Sequence, residues 1–338
     1  MTKIALYPIS VIYGLIIWLR NRFFDWGVFT SQPIPGKSIC VGNLSVGGTG
    51  KSPHIGYLIS TLSKTHQIQV LSRGYGRQTK GLLAVDHLSN PKTVGDEPIM
   101  LYNEYAKQAH FVVCEKRRLG VKYLKAKHQD AIILLDDAYQ HRWVKAGLQI
   151  VLTTYQHPFW QDQFLPLGKL RESATEIRRA DAIVITKCPA FETFDPQLIK
   201  KELAHLNKPI FFSRYQYKPL HPLTSSIEKI DRVLLISAIA DPAQIQESFP
   251  KDYQISHKIF EDHHPFSRAD ISEIHQFFDT FANENTVLVT TSKDWVKINL
   301  LLNETERKKY PWYLITFTLE WYEQETFNQF ISNYVDTN

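Results

Sequence analysis

Val41-Gly42-Asn43-Leu44-Ser45-Val46-Gly47-Gly48-Thr49-Gly50-Lys51-Ser52 follows the apolar run Ser38-Ile39-Cys40-Val41 and reads as a phosphate-binding loop between a strand and a helix. Glycine at 47, 48 and 50 lets the backbone bend so that successive N–H groups point into one concavity, beside the positive end of the following helix. Lys51 then reaches the β- and γ-phosphates of a nucleotide such as ATP, and Ser52 places a hydroxyl where such loops hold Mg²⁺. The strict pattern G-x-x-x-x-G-K-[ST] carries Gly at position 45, where this chain has Ser. The flanking strand-like run and the helix-like stretch 54–63 favour a phosphate loop over a plain glycine-rich turn. The candidate nucleotide-binding residues are Ser45, Val46, Gly47, Gly48, Thr49, Gly50, Lys51 and Ser52.

Working outward, apolar β-like runs at 38–41, 68–71, 111–113, 131–135, 148–152 and 182–185 alternate with helical intervals. That order predicts an α/β fold: a P-loop NTPase-like, mostly parallel sheet with helices on both faces. Ligands of such sheets bind beyond the carboxyl ends of the strands, where the loop falls. A polar segment at 214–230, with Pro219 and Pro222, reads as a connection to a second, smaller α/β domain. Its strand candidates are 232–237, 256–260, 286–290 and 312–317, with an amphipathic helix at 267–281. The expected divisions are thus 1–28, 29–213, 214–230 and 231–338, with a cleft between the two α/β units suited to a large substrate.

The first 28 residues differ from the rest. Ile4 to Leu19 are sixteen residues without a formal charge, followed by Arg20, Arg22, Phe23, Phe24 and Trp26. A helix of that length extends roughly 24 Å, short of the ~30 Å hydrocarbon core of a bilayer, and Pro8 should perturb its first turns. Interfacial insertion is expected, with aromatic residues at the boundary and the arginines meeting anionic headgroups. Arginines in place of small residues after the apolar run disfavour a cleaved signal peptide. The 338-residue chain is 43% hydrophobic and 22% charged with a net charge of +5, the composition of a folded protein rather than a nucleic-acid-binding tail. Three widely spaced cysteines, Cys40, Cys114 and Cys188, suit buried thiols in a reducing compartment.

Several polar clusters are candidates for chemistry. Asp136 and Asp137 end an aliphatic run and should lie beside the phosphate loop, where an acid orders Mg²⁺ or its waters. Gln140 and His141 follow closely enough to share the pocket. Ser72-Arg73-Gly74-Tyr75-Gly76-Arg77 ends another strand candidate with two guanidinium groups able to clamp phosphate oxygens. Asp96 and Glu97 precede Pro98 and serve either as a helix cap or as a base for a substrate hydroxyl. Lys169 and Arg171 sit on a constrained loop suited to a phosphate. In Asp262-His263-His264, adjacent side chains rarely converge on one metal ion, so acid–base chemistry is favoured: a histidine of one domain meeting a carboxylate of the other. Thr291-Ser292-Lys293-Asp294 either lines the cleft or terminates a strand.

The ordered set formed by residues 41–53, 72–77, 95–98, 136–137, 165–172 and 262–263 resembles the tetraacyldisaccharide 4′-kinases of lipid A biosynthesis across nearly the whole chain. The resemblance implies transfer of the ATP γ-phosphate to the 4′-hydroxyl of a tetraacylated glucosamine disaccharide 1-phosphate, giving lipid IV-A. It also implies work at the cytoplasmic face of a bacterial inner membrane. Carried onto this chain, the family pattern makes Asp96 and His263 an acid–base dyad, and keeps Lys51 and Ser52 in their nucleotide and Mg²⁺ roles. Glu97, Asp136, Asp137, Gln140 and His141 become candidates for the metal and catalytic pocket, and Arg171 for phosphate stabilisation. Ala138 departs from the glycine that relatives often carry after the acid pair. Two rival classes predict other features. A P-loop GTPase switch or metallochaperone should carry Asn-Lys-x-Asp where this chain has Thr186-Lys187-Cys188-Pro189, and a signature lysine where it has Val46. A nucleic-acid-dependent ATPase should show a concentrated basic stripe or an aromatic platform.

Overall fold

A computed structural model describes residues 3–239 and 243–337. It begins with helix α1 (Lys3–Asp25), then β1 (Ser38–Asn43), α2 (Lys51–Leu62), β2 (Ile68–Ser72), α3 (Asp96–Tyr105), β3 (Ala109–Val113), α4 (Arg117–Lys127), β4 (Ile132–Asp136), β5 (Leu148–Thr154), β6 (Ala182–Thr186) and β7 (Ile210–Tyr217). A second series follows: β8 (Arg232–Ser237), β9 (Gln254–Ile259), α5 (Arg268–Phe281), β10 (Thr286–Thr291), α6 (Ser292–Ile298), β11 (Trp312–Ile315), β12 (Phe317–Trp321) and α7 (Gln324–Asp336). Short helical turns and two-residue strands complete the connections.

The larger sheet has the order β12-β7-β6-β5-β1-β4-β2-β3, extended at one edge by Leu83–Ala84. Its inner pairs are parallel; β12 and Leu83–Ala84 close the two edges antiparallel. Strand alternation explains the layers. Ile39 and Val41 of β1 face a core with Ile55 and Ile59 of α2, Ile99 of α3 and Phe327 of α7. Cys40 faces the opposite core with Val121 and Leu124 of α4. Both faces are therefore covered by helices, as a parallel sheet requires.

The second sheet, β11-β10-β8-β9, is parallel, with His221–Pro222 added antiparallel at one edge. It has its own cores, Leu234, Ile236 and Leu288 against α5 and α6 on one face and Val233, Leu235 and Val289 on the other. Ser267 caps α5 and forms a capping box with Asp270, which fixes the start of that amphipathic helix.

Two boundaries differ from the sequence expectation. Residues 214–217 belong to β7 and pair with β12 through Arg214–Glu320 and Tyr215–Leu319, so the proposed connection begins later. Residues 317–336, expected in the second unit, return to the first sheet. The physical reason is aromatic burial: Trp321 stacks on Phe327 at 3.9 Å, and both join Phe211, Ile331 and Val335 in the core under α2. Only Thr316 separates a strand of one sheet from a strand of the other.

Helix α1 runs through Pro8, which forgoes one backbone hydrogen bond near the helix start. Its inward face carries Ser10, Gly14, Asn21 and Phe24; its outward face exposes Ile9, Val11, Ile12, Leu15, Ile16, Trp18 and Leu19. The usual amphipathic arrangement is thus inverted. Among the described residues, no helix is long and apolar enough to cross a membrane.

The C-terminal return yields a test. Phe327→Ala removes a large buried ring from the first core and should cost about 3–5 kcal/mol. Urea unfolding followed by circular dichroism measures this, and a loss below ~1 kcal/mol would contradict the packing of α7 on the first sheet.

Candidate active site

The phosphate loop leaves β1 and is braced from both sides. Val46 N–H donates to Lys169 O at 2.7 Å, and Arg171 N–H donates to Leu44 O at 2.8 Å. Ser45 forms an isolated antiparallel bridge with Leu170, an extended conformation that explains why serine serves where the strict motif has glycine. Gly50 is indispensable by contrast. Its φ is 91°, and a Cβ there would lie 2.6 Å from Tyr215 Oη. Val46 spends its N–H on Lys169, and Thr49 spends its own on Gly47 O at 3.0 Å, while Gly47, Gly48 and Gly50 turn their N–H groups to no acceptor among the described residues.

Asp136 ends β4, and Asp137 turns away with φ 47°. That left-handed turn falls one residue before Ala138, so alanine is accommodated where relatives often have glycine. Tyr139 wedges the turn in place: its Oη donates to Glu176 O at 2.6 Å, and a Cβ on Gly42 would strike it at 2.5 Å.

The two acids have opposite electrostatic fates. Burial would raise Asp137, but the charges of Lys51 and Arg171 outweigh it and bring it down to about 2. Lys51 Nζ lies 3.7 Å from Asp137 Oδ2; Arg171 grips both carboxylate oxygens, at 3.1 and 2.9 Å. Asp136 is driven upward by burial and then by the neighbouring charges of Glu97 and Asp137. Ser72 Oγ donates to its Oδ2 at 3.1 Å, while its Oδ1 has no hydrogen-bond partner among the described residues. Gln140 Nε2 donates to Asn43 O at 2.7 Å, and its buried Oε1 likewise has no hydrogen-bond partner among the described residues. Two unpartnered acceptor oxygens beside crowded carboxylates fit a divalent cation and its waters. No three His, Cys, Asp or Glu side chains among the described residues form a ready cage, which suits an ion that keeps several waters and phosphate oxygens as ligands.

Asp96 stands in the first turn of α3, where its Oδ1 accepts from the Glu97 N–H at 3.2 Å and its Oδ2 faces the second unit. Its Oδ2 accepts from His263 Nδ1 at 2.8 Å. His263 follows β9 with φ 64°, and its N–H donates to Ala238 O at 3.3 Å, at the end of β8. Lys293 Nζ donates to His263 Nε2 at 3.1 Å and to Asp262 Oδ1 at 2.9 Å. Burial pulls Asp96 up, but the hydrogen bond and charge of His263, with Lys293 and Lys297, outweigh it and hold the carboxyl below its ordinary 3.8. The same hydrogen bond lifts His263 above its ordinary 6.5. Asp96 is thus ionised at neutral pH, and the Nδ1 atom carries the proton between them.

One cavity of about 1380 Å³ is lined by the phosphate loop, Asp96, Glu97, Asp136, Asp137, Gln140, His141, Arg171 and His263. Arg73 also lines it, but Arg77 turns aside to Glu115 at 2.6 Å, and Lys169 contributes only backbone to the loop brace. His264 pairs with Asp270 at 3.2 Å, away from the dyad. Burial and the charges of Arg117, Arg20 and Arg73 push His141 down to about 4, so it is a neutral ring. The sequence reading missed the contribution of α1: Tyr13, Ile17 and Arg20 form part of the wall, and Arg20 donates to Gln140 O at 2.8 Å. It also missed Arg117 and Lys297. Arg117 opens a helix after a strand end, the same position that marked the other clusters; Lys297 lies one turn beyond Lys293.

A parallel α/β sheet with a phosphate loop at its carboxyl edge, an acid pair and a second acid–base group defines a P-loop kinase-like enzyme fold. The family profile "LpxK: Tetraacyldisaccharide-1-P 4'-kinase" matches residues 2–336. The tetraacyldisaccharide 4'-kinase of Bacteroides thetaiotaomicron is 38% identical, spanning 98% of this chain and 93% of that protein. Its counterpart from Flavobacterium psychrophilum is 36% identical, spanning 99% and 97% respectively. A crystal structure of LpxK from Aquifex aeolicus in complex with ATP is similar with a TM-score of 0.72 and 26% identity, covering 99% of this chain and 100% of that one. The chain belongs to the tetraacyldisaccharide-1-phosphate 4'-kinase family.

The dyad has a defined pH window. The stability contributed by Asp96 is present above 3.8 and lost as pH falls through its lowered value. That contributed by His263 is complete below 6.5 and lost as pH rises through its raised value. The difference in melting temperature between the natural chain and Asp96→Asn should therefore peak between those two ordinary values and shrink on either side. A difference independent of pH would show that the pair is not charged.

Proposed function

We propose that this chain transfers the γ-phosphoryl group of ATP to the 4′-hydroxyl of a tetraacyldisaccharide 1-phosphate at a membrane surface. One observation carries the reading: the same cavity holds the phosphate loop, the acid pair and the Asp96–His263 dyad, and α1, with its apolar residues outward, forms part of its wall.

The loop N–H groups of Gly47, Gly48 and Gly50 cradle the phosphates, and Lys51 moves from Asp137 to the transferring phosphoryl oxygens. Arg171 stabilises the charge that develops on those oxygens. Ser52, Glu97, Asp136, Asp137 and Gln140 would hold Mg²⁺ or its waters; the bound ion supplies charge neutralisation across the phosphate chain. His263 accepts the 4′-hydroxyl proton at Nε2 as the hydroxyl oxygen attacks phosphorus. Asp96 keeps the Nδ1–H tautomer aimed and stabilises the imidazolium that forms. For this step Nε2 must exchange Lys293 for the acceptor hydroxyl. A GTPase switch has no use for such a dyad opposite the loop.

The exposed apolar face of α1 supports a peripheral seat on the cytoplasmic face of the inner membrane, its boundary marked by Trp18, Trp26 and the arginines. The acceptor's acyl chains then remain near the bilayer while its sugar enters the cavity.

Purified protein incubated with γ-labelled ATP, Mg²⁺ and the disaccharide 1-phosphate in micelles should place label on the 4′-hydroxyl. Lys51→Ala should abolish labelling. Asp96→Ala and His263→Ala should each lower kcat by roughly 10²–10⁴-fold while ATP binding survives. Nucleotide hydrolysis without lipid labelling, given a verified acceptor, would replace this reading with a nucleotide-driven switch. Separately, the triple substitution Ile12→Glu, Leu15→Glu, Ile16→Glu should sharply reduce cosedimentation with anionic vesicles; undiminished binding would reject the interfacial seat of α1.

A further inference from the structure

Opposite the dyad, the second unit buries a carboxylate that phosphoryl transfer does not use. Asp294, in the first turn of α6, is 0% exposed. Its Oδ2 accepts from Ala238 N at 3.0 Å and from Thr291 Oγ1 at 2.9 Å, tying together the ends of β8 and β10. Its Oδ1 has no hydrogen-bond partner among the described residues and lies 3.4 Å from Lys297 Nζ, one helical turn on. Lys297 is nearly buried, donates to His264 O at 3.1 Å, and reaches Asp96 Oδ2 across the cleft at 3.8 Å. That oxygen is the one bonded to His263.

We infer that Lys297 is a positioning residue for the dyad, an ammonium held by buried Asp294 and turned onto the oxygen through which Asp96 orients His263. The inference rests on the kinase reading above.

The arrangement is a closed circuit. His263 and Lys297 both belong to the second unit and both grip one carboxylate oxygen of the first. Asp96 Oδ1 accepts from the Glu97 N–H at 3.2 Å within its own helix, and His263 and Lys297 together on Oδ2 fix how the carboxylate is presented to the second unit. Asp294 makes this possible because a buried ammonium needs a compensating charge, and a buried carboxylate bonded to two strand ends supplies one that cannot wander. Val296, between Lys293 and Lys297, packs against the core of the first sheet, so α6 is seated on the first unit with Lys293 lining the cavity and Lys297 reaching Asp96. His263 accepts its proton effectively only when docked, and Lys297 defines that docked geometry.

The test is kinetic and uses the full chain. Lys297→Met should lower kcat for lipid labelling roughly 10- to 100-fold, less than loss of the base itself, with the ATP KM unchanged. Lys297→Arg, which keeps the charge, should restore most of the rate. Combined with His263→Ala, Lys297→Met should cost little more than His263→Ala alone, because both act through one group. If Lys297→Met fails to fold by near-ultraviolet circular dichroism, Lys297→Gln takes its place. Unchanged kcat, an ATP KM that rises in step with the loss, no rescue by arginine, or losses that multiply in the double variant would each overturn the inference. Full activity of both His263→Ala and Asp96→Ala would instead overturn the dyad, and this inference with it.

Discussion

The 2.8 Å hydrogen bond between Asp96 and His263 joins two sheets that each have their own cores. Neither sheet needs the other to bury its strands, so neither alone dictates where the catalytic groups meet. The first unit brings the loop, the acid pair and Asp96 to the carboxyl edge of its strands; the second brings His263, Lys293 and Lys297 to the corresponding edge of its own. Two carboxyl edges facing each other make a cavity whose phosphate loop, acid pair and dyad come from strand ends and helix starts. Those are the positions at which backbone direction changes and side chains are free to point inward. The return of 317–336 to the first sheet makes the second unit an insertion with two covalent tethers, which limits how far the edges can part.

Charge balance at the loop follows from sequence adjacency. Asp136 and Asp137 cannot share one environment, because successive residues at a strand end point in different directions. Asp137, turned by its left-handed backbone, meets Lys51 and Arg171; Asp136 stays within the sheet beside Ser72 and Glu97. One acid therefore pairs directly with the cations that phosphate would take, while the other is raised by burial and its acidic neighbours despite the charge of Lys51, a balance that a divalent ion would reverse. The division of labour is built into a single turn, and Tyr139 under Gly42 maintains it.

How much of this was legible in the chain depended on range. The loop, the aliphatic run before Asp136 and the helix opening at Ser267 are local patterns, and each appears at its expected place to within a few residues. The boundary at 214–230 was misplaced because Arg214-Tyr215-Gln216-Tyr217 is polar enough to read as a linker, although its strand character depends on β12 more than a hundred residues away. Phe317-Thr318-Leu319-Glu320-Trp321 alternates like any edge strand, and nothing local says which sheet it joins. The partnership of Asp96 with His263 was accessible only through family resemblance. Lys297 was invisible for a different reason: a helix lysine is ordinarily a solvated surface group, and only the burial of Asp294 makes it otherwise.

The inversion of α1 connects the site to its surroundings. A helix that buries Ser10, Gly14 and Asn21 while exposing isoleucines and leucines is badly placed against water and well placed against acyl chains. Ser10 Oγ donates to Phe164 O at 2.8 Å, and the half-buried Tyr13 donates through Oη to Arg171 O at 3.1 Å. Gly14 gives Phe164 room, since a Cβ there would meet the ring at 2.9 Å. These contacts converge on the 164–172 loop that braces Val46 and Leu44. The exposed apolar face of α1 and the phosphate loop are therefore separated by a few hydrogen bonds. Displacing α1 would disturb the phosphate loop through Arg171, so this helix with its exposed apolar face and the phosphate loop form one mechanical unit.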